Sequence, residues 1–95
     1  MRDLALESLR EFRRYIAGER TWVNRMPVTT EECCAIMAPR EDGDYHSFVD
    51  CDVWDLLNRE CERRYGILYI RDFNDDDPRA SKETILAMYD AVEQQ

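Results

Sequence analysis

The chain has 95 residues, a hydrophobic share of 44% and a net charge of −8 at pH 7. A chain of this length and apolar content makes one folded domain, so we treat residues 1–95 as a single acidic helical domain. The negative charge opposes direct binding to nucleic acid, because phosphate groups repel it, and no apolar run reaches membrane-spanning length.

The first predicted element is a helix over residues 3–17. Its apolar residues recur on one face at helical spacing: Ala5, Leu9, Phe12 and Ile16. Gly18 then suits a helix stop. Acidic residues among the first leucines leave no signal-peptide core, which predicts a cytoplasmic protein.

An extended connection over residues 19–28 follows, with Trp22 and Val23 expected to be buried. A second, short helix is predicted to begin at Thr29, because Thr29 and Glu32 have the spacing of a capping box. This helix is expected to stop before Pro39, since the residue before proline disfavours helical dihedral angles.

The sequence contains four cysteines, at positions 33, 34, 51 and 61, and no Cys-x-x-Cys motif. In an intracellular protein with an adequate core, we expect them to be reduced and buried. A zinc site formed by these cysteines with His46, the single histidine, is the alternative.

A third helix is predicted from about Phe48 to Tyr65, because Ser47 and Asp50 form another capping box. Its expected buried stripe contains Val53, Trp54, Leu57, Cys61 and Tyr65. Gly66 suits its end.

A short apolar run, Ile67–Ile70, is interpreted as a strand near Trp22–Val23 or as an extended core segment. The last helix follows Ser81, which is predicted to cap it. Its inward-facing residues are Ile85, Met88, Tyr89 and Val92. The fold class is therefore mainly α: a compact four-helix domain with at most one short strand pairing.

The acidic segment between the apolar run and the last helix matches the ligand spacing of a calcium loop. The four ligand positions are taken by Asp72, Asn74, Asp76 and Glu83. Asp77 stands where that loop needs glycine, and the preceding residues are predicted to be extended. The competing interpretation is helix initiation, with Asp77 as the N-cap and Pro78 at the first helical position.

Charge is distributed unevenly, with +2 over residues 1–25 and −10 over residues 26–95. The acidic part predicts binding to a protein partner with a basic surface. The candidate contact residues are Asp50, Asp52, Asp55, Asp72, Asp75, Asp76 and Asp77.

The basic N-terminal part supports an alternative, in which an anionic small ligand such as a nucleotide binds an arginine cluster. The candidate residues are Arg10, Arg13, Arg14 and Arg20. The sequence also allows a homo-oligomer, in which such arginine clusters would come together across a symmetric interface.

Motifs for catalysis are absent from the sequence. It contains no glycine-rich phosphate loop and no nucleophile elbow, and no serine or cysteine is paired with His46 at the sequence level. We therefore expect a non-enzymatic protein without a cofactor.

Three marks along the chain carry a resemblance to a known family: Trp22, Cys34-Ala35, and the segment from Ile70 through Phe73-Asn74-Asp75 to Arg79. The pattern resembles an uncharacterised family of small bacterial and bacteriophage proteins with a C-terminal signature Ile-x-x-Trp-Asn-Asp followed by Arg-Thr. Phe73 departs from that tryptophan, and Ser81 takes the place of the threonine. The resemblance implies a compact, mainly helical domain in which the Asn-Asp pair pins a turn, and it implies no activity. With the small size and acidic charge, it suggests a phage accessory protein that inhibits a nucleic-acid-binding or defence complex of the host.

Overall fold

The computed structural model describes residues 3–47 and 51–95. Its four α-helices are α1 (Asp3–Arg14), α2 (Cys51–Tyr65), α3 (Ile70–Asp76) and α4 (Lys82–Glu93), and a π-helical segment, Tyr15–Glu19, extends α1. The strands are β1 (Thr21–Trp22), β2 (Glu32–Cys33), β3 (Met37–Pro39) and β4 (Tyr45–Ser47). The mainly α fold class is confirmed. The predicted Ser47–Asp50 capping box lies partly outside the described residues.

The predicted buried faces of the long helices form the core. All four apolar positions expected on the first helix are buried, three on α1 and Ile16 on its π-helical extension, as are all four on α4. Val53, Leu57 and Cys61 of α2 pack with them. Trp54 and Tyr65, expected in the same stripe of α2, are half-buried at its edge. Helical periodicity therefore located most of the core before any tertiary contact was known.

The predicted helix starting at Thr29 is wrong, because β2 and β3 occupy this part of the chain. Half of the capping box does form: the Glu32 carboxylate accepts hydrogen bonds from the backbone N–H groups of Thr29 and Val28, at 3.3 and 3.0 Å. The Thr29 hydroxyl oxygen instead accepts from the N–H of Glu31 at 3.3 Å. These hydrogen bonds close a single turn, after which the chain runs extended through the core. Residues 33–36 are all buried, so this segment has no solvent-exposed face to give a surface helix.

The prediction of at most one strand pairing is also wrong. β1 and β2 are parallel, with Trp22 opposite Cys33, and β3 and β4 are antiparallel, with Ala38 opposite His46. Gly43 has φ = 90° in the turn that joins β3 to β4, a backbone conformation that glycine adopts without steric cost. Trp22 therefore pairs with the cysteine segment and not with residues 67–70.

The segment expected to hold a strand and an acidic turn instead forms α3. Ile70, Phe73 and Asn74 have helical i, i+3, i+4 spacing and are all buried. The side-chain oxygen of Asn58 on α2 accepts a hydrogen bond from the N–H of Ile70 at 2.9 Å, which attaches the start of α3 to the middle of α2. A helix is favoured here because a neighbouring element satisfies its first donor.

The predicted Ser81 cap of the last helix is confirmed. Its hydroxyl oxygen accepts a hydrogen bond from the N–H of Thr84 at 3.1 Å, and the Thr84 hydroxyl oxygen accepts from the N–H of Ser81 at 2.8 Å. The alternative cap, Asp77 before Pro78, is wrong: Asp77 ends α3 in an extended conformation, as expected for the residue before a proline.

Candidate protein-binding site

An open groove lies between α2 and the start of α3, which we call the α2–α3 groove. Its lining residues are Trp54, Tyr69, Arg71 and Asp72, and its volume is about 330 Å³. The hydrogen bond from the Ile70 N–H to Asn58 fixes the two walls relative to each other, because Trp54 lies one helical turn before Asn58. Such a volume is at the low end for ligand pockets, and it suits a side chain better than a large cofactor.

The aromatic residues of the groove are accessible to solvent. Tyr69 is 53% exposed and its neighbour Leu68 is 58% exposed, while Trp54 is half-buried against the core. The two tryptophans differ in their hydrogen bonding: the indole N–H of Trp22 donates to Asn74, whereas that of Trp54 has no partner in the described part of the chain. The groove therefore offers an aromatic surface and a free donor.

The groove lining holds one acidic and one basic side chain, and further exposed aspartates lie close by in the sequences of α2 and α3. Asp72 lines it, and Asp76 lies one turn further along the same face of α3. On α2, the exposed Asp55 directly follows Trp54 in the sequence. Arg71 is the cation in the lining.

The predicted contact aspartates divide into two groups. Asp52, Asp55, Asp72 and Asp76 are exposed, as a partner-binding role requires. Asp75 accepts a hydrogen bond from Asn74, and Asp77 binds Arg79 through both carboxylate oxygens. That pairing with Arg79 lowers the pKa of Asp77. Asp50 lies outside the described residues.

Asn74 is a buried connection between three segments of the chain. Its side-chain oxygen accepts hydrogen bonds from the Trp22 indole N–H at 2.7 Å and from the Ala35 N–H at 3.1 Å, and its side-chain nitrogen donates to the Val23 carbonyl at 3.2 Å. The three marks that carry the family resemblance therefore meet at one side chain. The resemblance implied only that the Asn-Asp pair holds a turn; in the structure, Asn74 also attaches β1 and the buried residues 33–36 to α3.

The structure does not favour the calcium interpretation of Asp72, Asn74, Asp76 and Glu83, for the same reason. The first three lie on α3, which is not the geometry of a calcium-binding loop, and the Asn74 oxygen is already committed inside the protein. Within residues 3–47 and 51–95, no group of three or more histidine, cysteine, aspartate or glutamate side chains is arranged to hold a metal ion.

The arginines proposed to bind an anionic ligand have intramolecular partners. Arg10 binds Glu93 at 2.7 Å, Arg13 binds Asp90 at 2.6 Å, and Arg14 lies 3.4 Å from Glu19.

Arg20 donates to the Pro39 carbonyl at 2.7 Å and stacks over the Tyr15 ring at 4.5 Å. Arg10 and Arg13 join α1 to α4, Arg14 joins α1 to the π-helical segment, and Arg20 connects that segment with β3. The structure thus gives these side chains roles within the fold and does not favour the nucleotide alternative.

The described cysteines 33, 34 and 61 are free thiols and buried, as predicted. Burial raises the pKa of Cys33 to about 12 and that of Cys61 to about 11, which keeps both thiols protonated at neutral pH. Side chains of this kind pack as small apolar groups.

A second open groove, lined by Tyr15, Arg20, Arg40, Glu41 and Asp42, lies beside the β3–β4 turn. Its two arginines face two acids, and Arg20 and Arg40 both have protein partners, at the Pro39 carbonyl and Asp42 respectively. It lacks the uncommitted aromatic groups of the α2–α3 groove.

Neither Trp54 nor Tyr69 is assigned to a site by the sequence pattern alone. Trp54 fits the apolar stripe of α2, and the sequence does not decide whether Tyr69 belongs to a binding patch. Trp54 is followed by Asp55, and Tyr69 lies two residues before Arg71, so aromatic and charged residues are close in both segments. The two segments meet through contacts such as the Asn58–Ile70 hydrogen bond, which leave no local signal in the sequence.

No protein family, curated protein or solved structure matches this sequence. No helix in the described residues is long and apolar enough to cross a membrane.

Proposed function

We propose that this protein is a non-enzymatic binding protein, and that its α2–α3 groove and the adjoining aspartates attach it to a basic surface of a protein partner. The observation that carries the proposal is an open groove with uncommitted aromatic groups on an acidic protein. Aromatic side chains at an interface supply contact area at low entropic cost, and complementary charge speeds and orients association.

The chemistry of the groove favours binding over catalysis. Trp54, Tyr69 and Arg71 supply stacking and hydrogen-bond donors, and Asp72 supplies one carboxylate. The arrangement does not pair a nucleophile with a base, which covalent catalysis would need.

A partner that itself binds nucleic acid fits this charge pattern, because its basic surface exists to contact phosphates. Occupation of that surface by a protein with a charge of −8 would compete with nucleic acid. Inhibition of such a complex, including one for host defence, is the biological outcome that follows from this proposal.

The test uses the whole chain as bait in an extract of the organism that encodes it or of its host. Proteins captured by the wild type are compared with those captured by the double variant Asp55→Asn with Asp72→Asn. The matched control is Glu7→Gln with Glu41→Gln, which changes the net charge equally at exposed positions outside the groove. The captured partner is then purified and its affinity measured directly.

We expect the groove variant to bind about tenfold more weakly, in line with two lost solvent-exposed charge contacts of about 0.7 kcal/mol each, and the control to bind within about twofold of the wild type. Raising the salt from about 50 to about 500 mM is expected to weaken wild-type binding, because screening removes long-range attraction. Equal affinity of the groove variant and the wild type would overturn the proposed site.

A further inference from the structure

The protein holds one of its own arginines with the same combination of groups that the α2–α3 groove presents to solvent. The Arg79 guanidinium stacks over the Tyr65 ring at 4.9 Å and donates hydrogen bonds to both carboxylate oxygens of Asp77, each at 2.9 Å. An aromatic face and a bidentate carboxylate together hold a planar cation well.

In the α2–α3 groove, the aromatic and acidic parts of such a site are present without the cation. Trp54 and Tyr69 supply rings, with tryptophan the strongest aromatic partner for a cation, and Asp72 supplies a carboxylate. Within the described chain, no hydrogen bond or ion pair occupies the Asp72 carboxylate, and no guanidinium stacks on either ring.

The net charge of the protein, −8, favours a cationic ligand over an anionic one. The groove lining itself contains one carboxylate, Asp72, and one cation, Arg71. We infer that the groove receives an arginine side chain from the basic partner, an inference that rests on the proposed function and specifies its central contact. Arginine is favoured over lysine, because a guanidinium stacks on aromatic rings and binds a carboxylate through two parallel hydrogen bonds, whereas an ammonium is a strongly hydrated point charge.

The two tryptophans allow a direct test by NMR on the full-length protein. The indole N–H signal of Trp54 reports on the groove, and that of Trp22, which is hydrogen-bonded to Asn74, is an internal control. The signals are assigned with Trp54→Phe. The probes are three peptides, acetyl-Gly-Arg-Gly-amide, acetyl-Gly-Lys-Gly-amide and acetyl-Gly-Glu-Gly-amide.

The arginine peptide is expected to shift the Trp54 signal with saturation and a dissociation constant on the order of millimolar, while the Trp22 signal stays in place. The lysine peptide is expected to bind at least about threefold more weakly. Equal shifts with arginine and lysine would overturn the preference for a guanidinium, and a saturable shift with the glutamate peptide would overturn the assignment of a cation site.

Two variants at the groove are expected to act in opposite directions. Asp72→Asn removes the carboxylate and is expected to weaken binding of the arginine peptide by about five- to tenfold. Arg71→Gln removes a repulsive charge and is expected to strengthen binding of the same peptide. Glu7→Gln, outside the groove, leaves the affinity unchanged. An anion-binding groove would reverse both signs.

Failure of this inference is distinguishable from failure of the proposed function. If no peptide moves the Trp54 signal at concentrations up to about 50 mM, well above a millimolar dissociation constant, the arginine site is refuted. The protein-binding proposal would still stand if the Asp55→Asn, Asp72→Asn variant lost the captured partner. If that variant kept the partner but the peptide bound, the groove would be an arginine site unrelated to that partner.

Discussion

Asn74 offers the sharpest test of how this fold is held together. Its side chain is fully buried and bridges α3 to Trp22, Val23 and Ala35. Replacement by alanine would leave the indole N–H of Trp22, the Ala35 N–H and the Val23 carbonyl without this partner.

The expected loss follows from these groups. A buried donor or acceptor left unsatisfied costs about 1–3 kcal/mol, and the volume of the deleted amide adds a cavity term. We allow for partial access of water to Trp22, which is half-buried, and expect Asn74→Ala to lower the free energy of unfolding by about 3–5 kcal/mol. This loss is a large part of the free energy of unfolding of a typical domain, which is about 5–15 kcal/mol. A small chain has little stability to spare.

The assay is urea unfolding followed by far-ultraviolet circular dichroism, with the slope and midpoint fitted separately. Asn24→Ala is the matched control, because Asn24 is exposed and its replacement is expected to change stability by less than about 0.5 kcal/mol. A loss below about 1 kcal/mol for Asn74→Ala would refute the reasoning, since the three segments would then be held by packing alone.

Three further predictions concern the cap, an acid and the thiols. Ser81→Ala is expected to lower the free energy of unfolding by about 1 kcal/mol and Ser81→Asp by much less, since aspartate also caps; equal losses in urea titrations would contradict the capping role. The hydrogen bond from Arg25 is the main cause that lowers the pKa of Glu32 to about 2. The ionised Glu32 therefore stabilises the folded protein at pH values above its ordinary pKa of 4.5, and this stabilisation is lost as the pH falls towards 2. Acid titration of the melting temperature should therefore fall less steeply between these pH values for Glu32→Gln than for the wild type, and parallel curves would contradict this. In a Cys51→Ser background, the buried thiols should react with a thiol reagent only after unfolding in guanidinium chloride; rapid reaction of the native protein would show that they are accessible.

Elements with their own periodicity were predicted well. The buried faces of α1 and α4 were located from the 3.6-residue repeat, and Ser81 was identified as a cap from its residue type and position. These features depend on residues within a few positions of one another, so the sequence contains the information locally.

Residues 29–39 show that tertiary contacts can override a local signal for helix formation. Thr29 and Glu32 form real capping contacts, yet the chain continues as β2, because Trp22 offers a parallel strand partner and residues 33–36 are surrounded by core. Tertiary burial outweighed a local signal worth about 1 kcal/mol.

The candidate site could not be predicted for a similar reason. The acidic charge indicated a class of partner, and four of the predicted aspartates are exposed, but the groove itself depends on Asn58 binding the N–H of Ile70 twelve residues later. That contact, together with the stacking of Tyr65 on Phe73, joins α3 to α2 and so brings Tyr69 and Trp54 to one groove.

The sequence by itself determined the mainly α class, the buried faces of the two terminal helices and the sign of the charge, because each depends on composition or on short-range periodicity. The tertiary structure alone decided that Asn74 is an internal connector and not a calcium ligand, that the arginine cluster pairs within the protein, and that an aromatic groove stays open. Each of these outcomes depends on which distant groups reach hydrogen-bond distance, and a buried polar group takes whichever partner the packing provides.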